Sequence, residues 1–341
     1  MRIVHSDNMM IRRYGLIKVS TGRKLFNGMV RNNWNVCEFS ERDIAYFEAP
    51  LNIKPLGVRA ANKRFIETCL NFRPDCILIG HSDLITNKTL STIKQELPEV
   101  PIIYRNVDPP WRKRNVDMIH YRKDYVDAIF VTTAGDFLKQ FVTGKNVVGF
   151  IPNATDPAIE NMDNSSKKDF KYDLSFCGKG DKSDDRYSLI VNLDTKLKDK
   201  VKFESFGIYG NPPVWSAAYD NVLMNTKMAL NLNRFEGWKY YSSARISQLM
   251  GNGILAFVWD DGDMRELLPD NTVAYFSNEQ QLLDKILYYQ NNDAARVQVA
   301  SEGRRYYHEH FSGQKIVKFM IETALNMPYS EDYIWSSEVY R

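Results

Sequence analysis

No apolar run in this chain approaches the roughly 20 residues needed to span a bilayer, and the opening MRIVHSDNMMIRRYG lacks the apolar stretch of a secretory signal. Cysteine is scarce. Cys37, Cys69, Cys76 and Cys177 show neither Cys-x-x-Cys spacing nor a disulfide framework, and each lies in or beside an apolar segment. Reduced, buried thiols in a cytoplasmic protein are therefore expected. The glycine-containing stretches YGNPP and GKGDKSDD do not match GxxxxGK followed by Ser or Thr, which argues against a P-loop nucleotidase, and no GxGxxG follows the first strand. His308 and His310 in HEH sit two apart on a helix and point to different faces, so they read as structural and no metal is expected.

What is present fits two domains: 341 residues, 44% hydrophobic and 26% charged, an ordinary balance for a globular chain. The net charge of +3 conceals an asymmetry, because residues 1–150 hold 23 Lys and Arg against 15 Asp and Glu, and the remainder 22 against 27. A basic first half attracts anionic surfaces such as lipid headgroups or phosphates. WRKRNVDMIHYRK (111–123) mixes basic and aromatic residues and reads either as a solvated helix or as a contact for an anionic acceptor, a membrane surface or DNA.

Strands and helices alternate along the first half. Residues 2–7 read as a strand, 16–32 as a helix and 34–39 as a strand; 40–57, with Pro50, Pro55 and Gly57, read as irregular, and 58–71 as helical. Apolar runs with polar ends mark strands at DCILIGHSD (75–83), VPIIYRNVDPP (100–110) and VDAIFVTT (126–133), with helices at 87–96 and 135–141, and NVVGFIPNATDP closes the half. Continuous apolar strands between helices predict a parallel sheet covered on both faces. Such sheets bind ligands beyond the carboxyl ends of their strands, which sets Asp7, Gly15, His81, Asp83, Arg105, Asn106, Asp108 and Thr132 along one rim.

After a polar stretch at 161–171, read as a linker, the pattern restarts. Strands are expected at YDLSFCGKG (172–180), VKFESFGIYG (201–210) and TVAYFS (272–277), a helix at 186–197, a helix and strand across 222–233, and helices at 278–290 and 293–310. The expected fold is α/β, with two Rossmann-like domains facing across a cleft: residues 1–155, then 156–325, then a tail at 326–341 packing back on the first domain. The closing helix at 312–325 is a candidate to cross back with that tail.

Within SSARISQLMGNGILAFVW (242–259), Ile246, Leu249 and Met250 recur at helical spacing, while Arg245 and Gln248 share a neighbouring face. Ser242 and Ser243 read as N-cap residues, and the free amides of a first turn make an anion site. Tyr240, Tyr241 and Arg245 add donors for a phosphate. A surface helix with an ordinary C-cap glycine explains the same composition.

Residues 219–311, including ALNLNRFEGWKYYSSARISQLMGNGILAFVWDDGDMRELL, resemble the C-terminal domain of GT-B glycosyltransferases, especially the group 1 and spore-maturation (CgeB-like) branches. FIPNATDP resembles the interdomain strand of the same fold. The resemblance implies that the helix at 242–250 meets the diphosphate and ribose of a nucleotide-sugar, with Tyr241, Ser242, Ser243 and Arg245 at the phosphates. Gln248 falls where the family usually has a glutamate that bridges ribose hydroxyls. Gly178 and Lys179 would meet the leaving phosphates, Gly207, Ile208 and Tyr209 the base, and Arg234 and Glu236 the donor sugar; Gly15 is counted with the donor site.

Breaking a glycosyl–phosphate bond develops negative charge on the diphosphate, which amides and cations stabilise without a metal. His81, Asp83 and Asp108, with Asp7 behind them, are the titratable candidates for the acceptor side. The expected function is transfer of a sugar from a nucleotide-sugar to an anionic, polysaccharide or lipid-linked acceptor, metal-independent, without a further cofactor and, by analogy, retaining. The chain is expected in the cytoplasm, with peripheral membrane contact through its basic half and no nucleic-acid partner. The alternatives are a non-catalytic nucleotide- or glycan-binding module, which the glutamine at 248 keeps open, and a nucleotide-sugar epimerase.

Overall fold

The computed structural model describes residues 1–17, 21–80, 82–235 and 237–341 and divides into two compact units, Met1–Ala154 with Gly313–Arg341, and Thr155–Ser312.

The first unit is built on six parallel strands, β1 (Arg2–Ser6), β2 (Asn35–Phe39), β3 (Cys76–Ile79), β4 (Ile102–Asn106), β5 (Ala128–Val131) and β6 (Val147–Phe150). They lie in the order β6-β5-β4-β3-β1-β2, and a tail strand, Val339–Tyr340, pairs antiparallel outside β6. Every residue of β3 to β6 is buried, as continuous apolar runs require in a sheet covered on both faces. The helices are α1 (Thr21–Arg31), α2 (Glu41–Phe47), α3 (Lys54–Phe72), α4 (Asn87–Glu96) and α5 (Lys113–Arg122).

The second unit holds five parallel strands, β7 (Tyr172–Cys177), β8 (Phe203–Phe206), β9 (Thr226–Asn231), β10 (Leu255–Trp259) and β11 (Ala274–Phe276), in the order β11-β10-β9-β7-β8. Its helices are α6 (Asp185–Leu197), α7 (Ser216–Met224), α8 (Arg245–Gly251), α9 (Glu279–Asn291) and α10 (Asp293–His310). Leu174, Phe176, Leu230, Phe257 and Phe276 join in its core.

The chain then returns. Helix α11 (Gly313–Ala324) packs on α1 in the first unit, so the second unit ends at Ser312 and not at 325. The contact is closed by paired glycines: a Cβ on Gly28 would overlap the Gly313 carbonyl, and one on Gly313 would overlap the Lys24 carbonyl. Beyond α11, Tyr333 and Trp335 are buried, with the Phe319 ring 5.1 and 5.5 Å from theirs. The Gly135 amide donates to Glu338 Oε2 at 2.8 Å.

Two local expectations change, and a third holds in part. Residues 40–57 are largely helical, because Pro50 opens a short 3-10 turn and Pro55 falls in the first turn of α3, where its missing N–H has no helical role. The stretch at 161–171 is no free linker: Asn164 is buried and donates to Leu223 O and Thr226 O at 2.7 and 2.8 Å, while Arg296 donates to Asn164 O at 3.2 Å. In 111–123, Arg112, Lys113 and Arg114 are exposed as the solvated-helix reading expects, but Arg122 is buried inside the first unit and donates to Asn87 Oδ1 at 2.7 Å and to the Ser82 and Ile85 carbonyls. Among the described residues, no helix is long and apolar enough to cross a membrane.

Candidate functional site

The carboxyl ends of β7 and β9 in the second unit converge on the start of α8. Helix α8 begins at Arg245 behind Ala244, and no side chain caps it. The two serines therefore do not lead the helix as expected. Asn231 Nδ2 donates to Ser242 Oγ at 2.9 Å and Asn233 Oδ1 accepts from the Ser243 amide at 3.0 Å, so the end of β9 holds both serines in the preceding loop. Asn233 Nδ2 also reaches the Tyr241 carbonyl at 3.3 Å. With seven residues, α8 carries little dipole, and cations must supply most of the positive potential here.

Arg245 is buried, and its guanidinium lies across the strand ends rather than along the helix face shared with Gln248. Nε donates to Cys177 O at 2.9 Å, Nη1 to Leu232 O at 3.2 Å, and the group stacks over the Phe176 ring at 4.8 Å. No carboxylate pairs with it among the described residues; burial lowers its pKa, yet guanidinium remains charged. Burial also pushes the Cys177 thiol up to about 12, so that neighbour stays neutral.

Two more arginines adjoin. Arg186 donates to Asp184 at 2.7 Å and to Lys179 O at 3.1 Å, and stacks 5.7 Å over Phe176. Arg234 donates to the same Lys179 carbonyl at 2.8 Å and lies 3.2 Å from Asp184. The hydrogen bond from Arg186 holds the Asp184 carboxyl below its ordinary pKa. Lys179 is exposed, and its ammonium has no partner among the described residues. Arg186 and Arg234 thus converge on Asp184, beside a cavity of 160 Å3 lined by Gly180, Asp181, Ser183, Asp184, Asp185, Arg234 and Phe235, while Arg245 keeps its charge without a carboxylate partner among the described residues.

Gly178 and Gly207 zip the loops after β7 and β8 together. The Gly178 amide donates to Phe206 O at 2.9 Å, a Cβ on it would lie 2.6 Å from the Phe176 ring, and Gly207 has φ +92°. Ile208 is a core side chain, and Tyr209 donates its hydroxyl to Asp194 at 3.1 Å, so it is the backbone of this turn, as the resemblance implies, and not these side chains that a base would meet. Gln248 accepts from the Tyr219 hydroxyl at 2.9 Å, leaving its amide nitrogen to donate. Glu236 lies outside the described residues.

On the rim of the first unit, Asp83 accepts from Arg42 at 2.5 Å and stays partly exposed. Asp108 is half-buried, with its amide donating to Asn106 Oδ1 at 2.8 Å. Gly15 (φ +82°) lies in an exposed loop of this unit. His81 lies outside the described residues. Asp7, by contrast, is fully buried in an ion pair with Arg105, which crosses above β3 because residue 80 is glycine, so it is no solvent-facing base. The missed residue is Glu41. It is fully buried beside Arg42 (3.2 Å), accepts from the Leu84 amide at 3.0 Å, and burial raises its pKa to about 7. The available signal was a charged SERD directly after a strand.

Residues 186–322 match the family described as glycosyl transferase-like. No curated protein sequence matches the chain. Among solved structures, HepE from Anabaena, in complex with UDP-glucose, is 12% identical with a TM-score of 0.60, over 96% of this chain and 100% of that one. Sucrose-phosphate synthase from Thermosynechococcus elongatus is 11% identical with a TM-score of 0.57, over 96% and 98%. TarM from S. aureus is 13% identical with a TM-score of 0.53, over 78% of this chain, which spans only 58% of TarM. At such identities the likeness is one of fold. Two parallel-sheet Rossmann-like units make this a chain of GT-B fold, in which residues 186–322 match the glycosyl transferase-like family.

Proposed function

We propose that the chain transfers a sugar from a nucleotide-sugar, with a uridine diphosphate donor the first to test, onto a carbohydrate or lipid-linked acceptor in the cytoplasm. The observation that carries this reading is the Arg245 guanidinium, anchored on Cys177 O and Leu232 O with no carboxylate partner among the described residues. A buried cation fixed by carbonyls is arranged before any ligand arrives, and it stabilises charge that develops on a leaving diphosphate. Arg186, Arg234 and Lys179 enlarge that field, which suits a metal-independent departure. Gln248 offers an amide to a ribose hydroxyl. The resemblance of residues 219–311 to the spore-maturation branch supports the reading, and Asp83 and Asp108 are the accessible carboxylates on the acceptor side. A retaining outcome is part of the proposal by analogy alone.

The test incubates the full chain with UDP-sugars and a panel of glycan and lipid-linked acceptors and follows UDP release. Transfer that depends on acceptor supports the reading. Tight UDP binding without turnover for any pair would instead support a binding module, the reading favoured by a neutral Gln248 already engaged by Tyr219.

A further inference from the structure

The first unit carries an exposed surface that is both apolar and basic. Residues 9–17 and 49–59 contain Arg12, Arg13, Lys54 and Arg59 and no Asp or Glu. Tertiary contacts bring the two segments together. The Ile11 and Arg12 amides donate to Asp43 of α2 at 2.8 and 3.2 Å, and the Arg12 guanidinium meets the same carboxylate at 2.6 Å. Helix α2 in turn packs along α3, and the Lys54 pKa is lowered by burial first, then by Arg42 and Arg12, against the opposing charges of Glu41 and Asp83. The first segment follows the carboxyl end of β1, and the second follows α2, the helix that starts at the carboxyl end of β2.

What these segments show to solvent is apolar. Leu51 is 90% exposed, Tyr14 86%, Leu16 70% and Leu56 60%, a concentration that a soluble surface seldom tolerates without a partner. Leu51 and Tyr14 also have φ of +55° and +48°, a conformation rare for large side chains. The backbone thus turns against its preference at the two most exposed of these positions. Arg13, Lys54 and Arg59 form no ion pair among the described residues. Exposed apolar tips on the same two segments as these cations match an anionic bilayer, where the tips enter the headgroup–acyl boundary and the cations meet lipid phosphates.

We propose that this face, built from Tyr14, Leu16, Leu51 and Leu56 with Arg13, Lys54 and Arg59, docks on an anionic lipid bilayer. In purpose it rests on the reading above, since it would bring a lipid-linked acceptor to the acceptor rim. Its test does not depend on turnover. The full chain is floated with vesicles of phosphatidylcholine with or without phosphatidylglycerol, at low and high salt, while UDP binding is measured in parallel by calorimetry.

The expected result is partition onto phosphatidylglycerol vesicles that weakens with salt. It should fall at least about tenfold in Leu51→Glu with Leu56→Glu, and in Arg13→Glu with Arg59→Glu, since each cation near such a surface strengthens binding about fivefold. UDP affinity and melting temperature should stay unchanged in both variants. Vesicle binding without UDP binding would leave the docking face standing and overturn the donor reading. No partition onto anionic vesicles, or partition indifferent to both double variants, overturns the docking face. So does a lipid-free dimer, seen by sedimentation, that Leu51→Glu dissociates, because the face would then join two copies.

Discussion

Lys179 and Arg245 separate binding from folding at the donor site. Lys179 is exposed and unpaired among the described residues, so Lys179→Ala should weaken nucleoside diphosphate affinity roughly ten- to a hundredfold, the worth of one charged hydrogen bond, with no change in melting temperature. Arg245→Ala should weaken it at least as much and also lower the melting temperature, because Cys177 O and Leu232 O lose their donors. Calorimetry with UDP and a thermal melt read the two effects; unchanged affinity in both variants would remove the phosphate site from this place. Glu41 gives the pH prediction. Its pKa rises from 4.5 unfolded to about 7 folded, mainly through burial, so the native state binds the extra proton between these values. Stability therefore falls as pH rises from 4.5 to 7, by roughly 3 kcal/mol in all. Glu41→Gln should flatten this slope and melt higher than the parent at pH 8, which scanning calorimetry across pH would check.

At the scale of elements, the contact of α1 with α11 sets two effects against each other at Gly28. Alanine in a helix interior is favoured over glycine by about 1 kcal/mol. The added Cβ would overlap the Gly313 carbonyl, however, and overpacking of this kind costs typically 1–3 kcal/mol, more where backbone must move. Gly28→Ala should therefore destabilise the chain, and a denaturant melt showing equal or greater stability would refute the close packing. Other element-level features were hidden from local reading. Pro50, Pro55 and Gly57 looked like breakers, yet Pro55 sits in a first turn and Gly57 lets α3 approach the Ala45 carbonyl of α2. The serines before α8 read as caps, but Asn231 at the end of β9 and Asn233 just beyond it reach over and hold them in a loop.

For the whole molecule, the tail decides what completes the first unit. Residues 326–341 bring Tyr333 and Trp335 into its interior and add the edge strand on β6. Losing a buried aromatic costs about 3–5 kcal/mol, against a total stability of about 5–15 kcal/mol for a typical domain. Ending the chain at Leu325 should leave the first unit unfolded or far more protease-sensitive near room temperature, and limited proteolysis would show it; a digestion pattern like that of the full chain would refute the role. The sequence by itself determined two successive α/β units with parallel sheets and the segment after β9 that bears the family pattern, because a strand buried on both faces is an unbroken apolar run and a motif is contiguous. Only the tertiary structure decided that Arg245 turns its charge across the strand ends, that Asp7 is spent on Arg105 above Gly80, that Glu41 is buried, and that α11 and the tail return to the first unit. Each of those depends on which distant residue fills the neighbouring space, and no window of sequence contains both partners.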